Sequence, residues 1–203
     1  MAFQIPSLDL LIHELCCLPG IGEKTAQRLA FHILKEGPDY SQRLAQSLQE
    51  VRLQVKYCKK CYSYTDQELC RICANPARDE RMICVVEEPA DVLRFESIGT
   101  FRGVYHVLLG TISPLDGVGP DHLKIRELVQ RVQDLSTQDK PIELIMSLDA
   151  DLEGDTTALY ISKILSGKGA RITRLAHGVP FGSDMDYIDP RTLGRAFDNR
   201  VEI

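Results

Sequence analysis

A chain of 203 residues, 44% hydrophobic and 26% charged with no low-complexity tract, is long enough to bury a sizeable core and too mixed in composition to be disordered. No run approaches the roughly 18 apolar residues of a membrane span, and residues 1–10 carry Asp9 but no basic leader, so the expectation is a cytoplasmic protein without a membrane partner. The net charge of −5 argues against nucleic acid unless basic groups are concentrated. Residues 1–82 hold 11 Lys and Arg against 10 Asp and Glu, and residues 83–203 hold 13 against 19. Affinity for a polyanion would then need a local basic cluster or several subunits acting together.

In chain order, Leu8, Leu11, Ile12 and Leu15 form the stripe of an amphipathic helix, and Ala26, Leu29, Ala30, Ile33 and Leu34 form a second. Leu18-Pro19-Gly20-Ile21-Gly22 joins them: Pro ends the first helix, and Gly20 and Gly22 admit backbone angles that a side chain would forbid. Such a turn leaves unpaired N–H groups at the start of the second helix, a ready phosphate site, with Lys24 and Arg28 four apart on one face just after it. The same residues also suit a plain αα-hairpin with solvated basic side chains, and spacing alone does not choose. Gly37-Pro38 breaks the second helix. A third, marked by Leu44, Leu48, Val51 and Val55, delivers the chain to Cys58, so the N-terminal third reads as a small helical unit closed by metal.

Cys58-Lys59-Lys60-Cys61 and Cys70-Arg71-Ile72-Cys73 are paired Cys-x-x-Cys knuckles. Four thiolates at one point make the tetrahedral cage that zinc accepts, and a closed shell of four leaves no position for catalytic water. Disulfides or a redox-active pair are the competing readings, disfavoured by the doubled motif and the two lysines inside one bite. The loop from Tyr62 to Leu69 is too short and polar to hold a core, so the metal would contribute on the order of 10 kcal/mol to its folding. Cys16, Cys17 and Cys84 sit in apolar sequence and are expected to be small buried hydrophobes.

Beyond the cysteines the period changes. Met82 to Val86 is a continuous apolar run, as in a strand buried on both faces; Ala90 to Ile98 suits a helix and Val104 to Leu109 a strand. A Gly/Pro loop spans residues 110–120, and Asp121 is expected to cap a helix carrying Ile125, Leu128, Val129 and Val132. Ile142 to Leu148, Thr156 to Leu165 and Arg171 to Ala176 read as strand, helix and strand, giving an α/β fold with a mostly parallel sheet. Functional residues of such sheets lie just past the strand C-termini, where Glu87, Asp149 and Asp151 stand. They suit Mg²⁺ held by carboxylates, or a turn in which Asp caps the next helix and Glu153 and Asp155 favour its positive end. No phosphate loop of the Gly-x-x-x-x-Gly-Lys type and no Gly-x-Ser-x-Gly elbow is present, and His177 reads as a structural group beside a strand end.

Together these pieces resemble the RecR family of bacterial recombination mediators. Leu18 to Gly22 through Ala26 to Phe31 looks like its helix-hairpin-helix, Cys58 to Cys73 like its C4 zinc finger, and Ile83 to Glu87 like the first strand of its Toprim domain. Ser113 to Pro120, Ala176 to Pro180, Asp189 and Thr192-Leu193 complete the pattern. The resemblance implies a helix-hairpin-helix DNA-binding and assembly region over residues 1–56, a zinc finger over 57–80, a Toprim-like domain over 81–176 and a C-terminal assembly segment over 177–203. It also implies sequence-independent binding of double-stranded or gapped DNA, with Gly20, Gly22, Lys24 and Arg28 at the interface, and a homodimer or ring tetramer. The work implied is non-enzymatic: loading recombinase with RecO and RecF. Glu87, Asp149 and Asp151 would then be a docking surface or an occasional Mg²⁺ site; the alternative is a Mg²⁺-dependent nuclease.

Overall fold

The computed structural model describes residues 5–136, 141–176 and 178–200. The chain folds as two compact units, Met1–Val55 and Lys56–Ile203.

In the first unit, helices α1 (Pro6–Cys16) and α2 (Glu23–Glu36) pack through Leu8 and Ile12 against Ala26 and Ala30. Two alanines on the contact face let the helices approach closely, and Leu11, Leu15, Cys16 and Ile21 flank the contact. Of the turn glycines only Gly20, at φ +76°, needs the left-handed region; Gly22 has φ −84° and serves as the N-cap of α2. Cys17, expected inside, is exposed because it lies at the C-cap of α1. Helix α3 (Pro38–Gln54) forms where its stripe predicted, yet none of its residues is buried, and Leu48 is 67% exposed.

The second unit begins with the zinc-type knuckles. They therefore belong with the sheet, and the expectation of a helical unit closed by metal is corrected. A two-residue hairpin, β1 (Lys56–Tyr57) with β2 (Tyr64–Thr65), precedes a four-stranded sheet of β3 (Asp79–Val86), β4 (Gly103–Val107), β5 (Ile142–Met146) and β6 (Ala170–Arg174). Its order is β4-β3-β5-β6 and every pairing is parallel. Helices α5 (Ile125–Ser136) and α6 (Leu152–Leu165) cover one face, where Leu128, Val132, Ile161 and Leu165 meet Ile83, Val85, Leu144 and Met146. Helix α4 (Pro89–Ile98) covers Cys84, Val86, Tyr105 and Val107 on the other. The apolar run of β3 is thus buried on both faces, as its composition predicted.

Two helix starts differ from expectation. Asp121 does not cap α5: it lies in a 3-10 turn, Pro120–His122, and pairs with Arg126 at 2.5 Å. Helix α6 begins at Leu152, four residues before Thr156, because Asp151 accepts the Gly154 N–H and starts it early. Helix α7 (Pro190–Asp198), which periodicity did not mark, is capped by Asp189 on the Thr192 N–H. No described helix is long and apolar enough to cross a membrane.

Candidate metal centre and nucleic-acid interface

The knuckle turns are built by backbone bonds that leave sulfur pointing inward. Cys58 N–H donates to Ser63 O at 2.8 Å, Tyr62 N–H returns to Cys58 O at 3.0 Å, and Tyr62 takes φ +64° to reverse the chain. The Cys70 N–H donates to Cys58 Sγ at 3.3 Å and the Cys73 N–H to Cys70 Sγ at 3.4 Å, bonds that favour thiolate. All four sulfurs are buried and lie within 4.8 Å of one another, with Cys61 and Cys70 at 3.5 Å. A tetrahedron of zinc–sulfur bonds of about 2.3 Å has edges of about 3.8 Å, so the cage fits the ion. Donation from Cys61 and Cys73 lowers the Cys70 thiol below its ordinary range, the direction a metal-binding thiolate needs. Among the described residues this is the one group of three or more such side chains close enough to hold a metal.

The knuckle also seals the edge of the sheet. Strand β4 is an edge strand, and its outward backbone groups recur at every second residue. Gly103 O accepts from Arg78 at 3.2 Å, Tyr105 O accepts from Arg131 at 2.8 Å, and the Val107 N–H donates to Cys61 O at 2.8 Å. Arg78 is held by a bidentate pair with Glu96, 2.8 and 2.5 Å, which the Tyr105 hydroxyl joins at 2.8 Å. Arg131, on α5, is 8% exposed, and its Nε and Nη2 have no hydrogen-bond partner among the described residues. Burial disfavours its charge; the negative potential of Cys73, Cys61, Glu80 and Cys58 opposes that. A tetrathiolate zinc carries two net negative charges, and Arg131 is the buried cation facing them. Sequence reasoning missed Arg131 because a long basic residue on an amphipathic helix reads as solvated.

At the strand ends the structure places Glu87 after β3 and Asp149 and Asp151 between β5 and α6, but not as a cluster of converging oxygens. Glu87 Oε1 accepts the Asp149 N–H at 2.7 Å, and Asp151 Oδ1 is engaged by Gly154. Burial, then the charges of Asp149, Asp151 and Asp91, hold the Glu87 carboxyl above its usual range, against the Asp149 N–H. Gly154 is required there, since a Cβ would lie 2.2 Å from the Asp149 carbonyl oxygen. Asp155 is neutralised by Arg174 and by Arg195, the latter at 2.8 Å, and Glu153 accepts the Ser113 hydroxyl at 2.6 Å. The exposed acidic face is therefore smaller than the sequence suggested. His177 lies outside the described residues.

In the first unit, α2 has no side-chain cap at Gly22, so its first N–H groups face outward. Lys24 and Arg28 are exposed and have no ion-pair partner among the described residues. A Cβ on Gly22 would meet nothing within 4 Å, so neither φ nor packing within the chain explains this glycine.

Family models match nearly the whole chain. One described as RecR, helix-hairpin-helix covers residues 8–52, a RecR four-cysteine zinc finger model covers 55–75, a Toprim model covers 81–176, and a RecR C-terminal model covers 178–201. Recombination protein RecR of Bdellovibrio bacteriovorus is 55% identical over 202 residues, 98% of this chain and 99% of that protein. The chain belongs to the RecR family. Two further RecR relatives agree: that of Chloroherpeton thalassium is 45% identical over 205 residues, the full length of both, and that of Streptomyces avermitilis is 51% identical over 190 residues, 94% of each. The RecR zinc-finger match spans all four cysteines, and the metal of this centre is a structural zinc ion.

Proposed function

We propose that the chain is a non-enzymatic, DNA-binding mediator of recombinational repair that acts with RecO and RecF to load recombinase on gapped DNA. The observation that carries this reading is the uncapped start of α2, where free N–H groups, exposed Lys24 and Arg28, and an unobstructed Gly22 together suit a phosphate backbone. Its relatives are named recombination proteins. Assembly into a dimer or ring tetramer reconciles a net charge of −5 with DNA binding, because several weak basic faces act on one duplex. The unburied stripe of α3 supplies an apolar surface for such assembly. Glu87, Asp149 and Asp151 serve as an acidic docking face for a basic segment of RecO; engagement of Glu87 and Asp151 by backbone N–H groups favours this over Mg²⁺-dependent cleavage.

The test is DNA binding by the Lys24→Ala, Arg28→Ala double variant. Affinity for duplex of any sequence should fall, and the salt slope should shrink by roughly 0.9 for each phosphate contact removed. An unchanged slope places the DNA surface elsewhere, and Mg²⁺-dependent cleavage abolished by Glu87→Gln with Asp151→Asn establishes the nuclease instead.

A further inference from the structure

The hairpin leading into the zinc knuckle carries a feature that metal binding does not require. Tyr57 on β1 and Tyr64 on β2 face one another in register, their rings stacked at 5.4 Å between centroids and 20° between planes. Both are open to solvent, Tyr57 47% and Tyr64 59% exposed, so the pair contributes little to the core. Hydrogen bonding with Tyr57, the first cause, raises the Tyr64 phenol above its ordinary pKa, and the ring stays neutral.

The surrounding charge is mixed but basic in balance, with Glu88 acting on Tyr64 from outside the segment. Residues 56–78 hold five basic side chains, Lys56, Lys59, Lys60, Arg71 and Arg78, against Asp66 and Glu68, in a chain that is acidic overall. Lys59, Lys60 and Arg78 pair with Glu68, Glu80 and Glu96. Lys56 and Arg71 are exposed without an ion-pair partner among the described residues. Exposed flat rings in a segment of net positive charge suit single-stranded nucleic acid, because every base offers a π-face and every nucleotide a phosphate. A duplex keeps its bases stacked on one another and has none to give.

We propose that the Tyr57–Tyr64 pair is a stacking platform for unpaired bases, set in a segment with an excess of basic side chains, and that it gives the zinc finger a single-strand contact distinct from duplex contacts at the α1–α2 turn. This rests on the reading that the chain binds DNA. A gap offers both kinds of surface, and the two sites would divide it between them.

The experiment measures binding of labelled oligo(dT), blunt duplex and gapped duplex at low salt, with zinc content checked in each protein. In Tyr57→Leu, Tyr64→Leu the hairpin stays apolar but has no π-face; affinity for oligo(dT) should fall by roughly 5- to 150-fold, the range for one stacked base, with duplex binding unchanged. Tyr57→Phe, Tyr64→Phe should retain parental affinity. If the double Leu variant loses zinc, Tyr64→Leu alone should show the same selective loss. Parental oligo(dT) binding in the Leu variants, or equal losses on oligo(dT) and duplex, overturns the platform. Loss of duplex binding in Lys24→Ala, Arg28→Ala shows that the DNA reading survives that result, and a parent that binds none of the three DNAs overturns both.

Discussion

His106 is fully buried beside the knuckle, its ring set edge-on to Tyr62 at 5.5 Å. Its Nε2–H donates to Lys124 O at 2.8 Å, while Nδ1 has no partner among the described residues. Burial, the largest cause, pushes its pKa down from 6.5 to about 4, so the folded protein keeps it neutral. The unfolded chain takes up a proton near pH 6.5 that the folded chain refuses until about 4. Its part in stability is therefore complete above 6.5 and lost as pH falls through that window. Gln at this position can still donate to Lys124 O but does not titrate. His106→Gln should flatten the fall of stability between pH 6.5 and 5 by up to about 1.4 kcal/mol per pH unit, as read by denaturant unfolding. Equal slopes in both proteins would place the acid sensitivity in groups other than His106. At this scale the four cysteines were legible because ligand spacing is written along the chain. His106, Arg78 and Arg131 were not, since their partners stand 18 to 71 residues away.

Among the elements, α5 joins the sheet to the metal centre through Arg131, which also donates weakly to Lys60 O at 3.5 Å. Arg131→Met keeps most of the volume and removes the charge facing the thiolates. We expect it to remain folded but to hold zinc roughly 10- to 100-fold less tightly in competition with a chelator. Unchanged zinc affinity would mean that Arg131 serves only to satisfy the edge strand. The strands and α4 were legible from apolar runs. The hairpin of Lys56–Tyr57 with Tyr64–Thr65 is too short for any period, and the early start of α6 is hidden in sequence because Asp151 suits a metal ligand as well as a helix cap.

For the whole molecule, the stripe of α3 has the correct helical period, yet Leu48 and Val51 are 67% and 61% exposed. Periodicity records that a face wants burial and not which chain provides it. Leu48→Asp with Val51→Lys should therefore leave helix content and zinc unchanged while lowering the mass measured by light scattering. An unaltered mass would exclude this face from assembly. The three groups that occupy the outer rim of β4 have a further consequence. One of them, the Cys61 carbonyl, is supplied by the knuckle itself, so stripping the ion would uncover the Val107 end of a parallel edge strand and leave it able to pair with a neighbour. Zinc starvation would then be felt as clumping that worsens with protein concentration, and restoring the metal would rescue only those molecules that had not yet met one another.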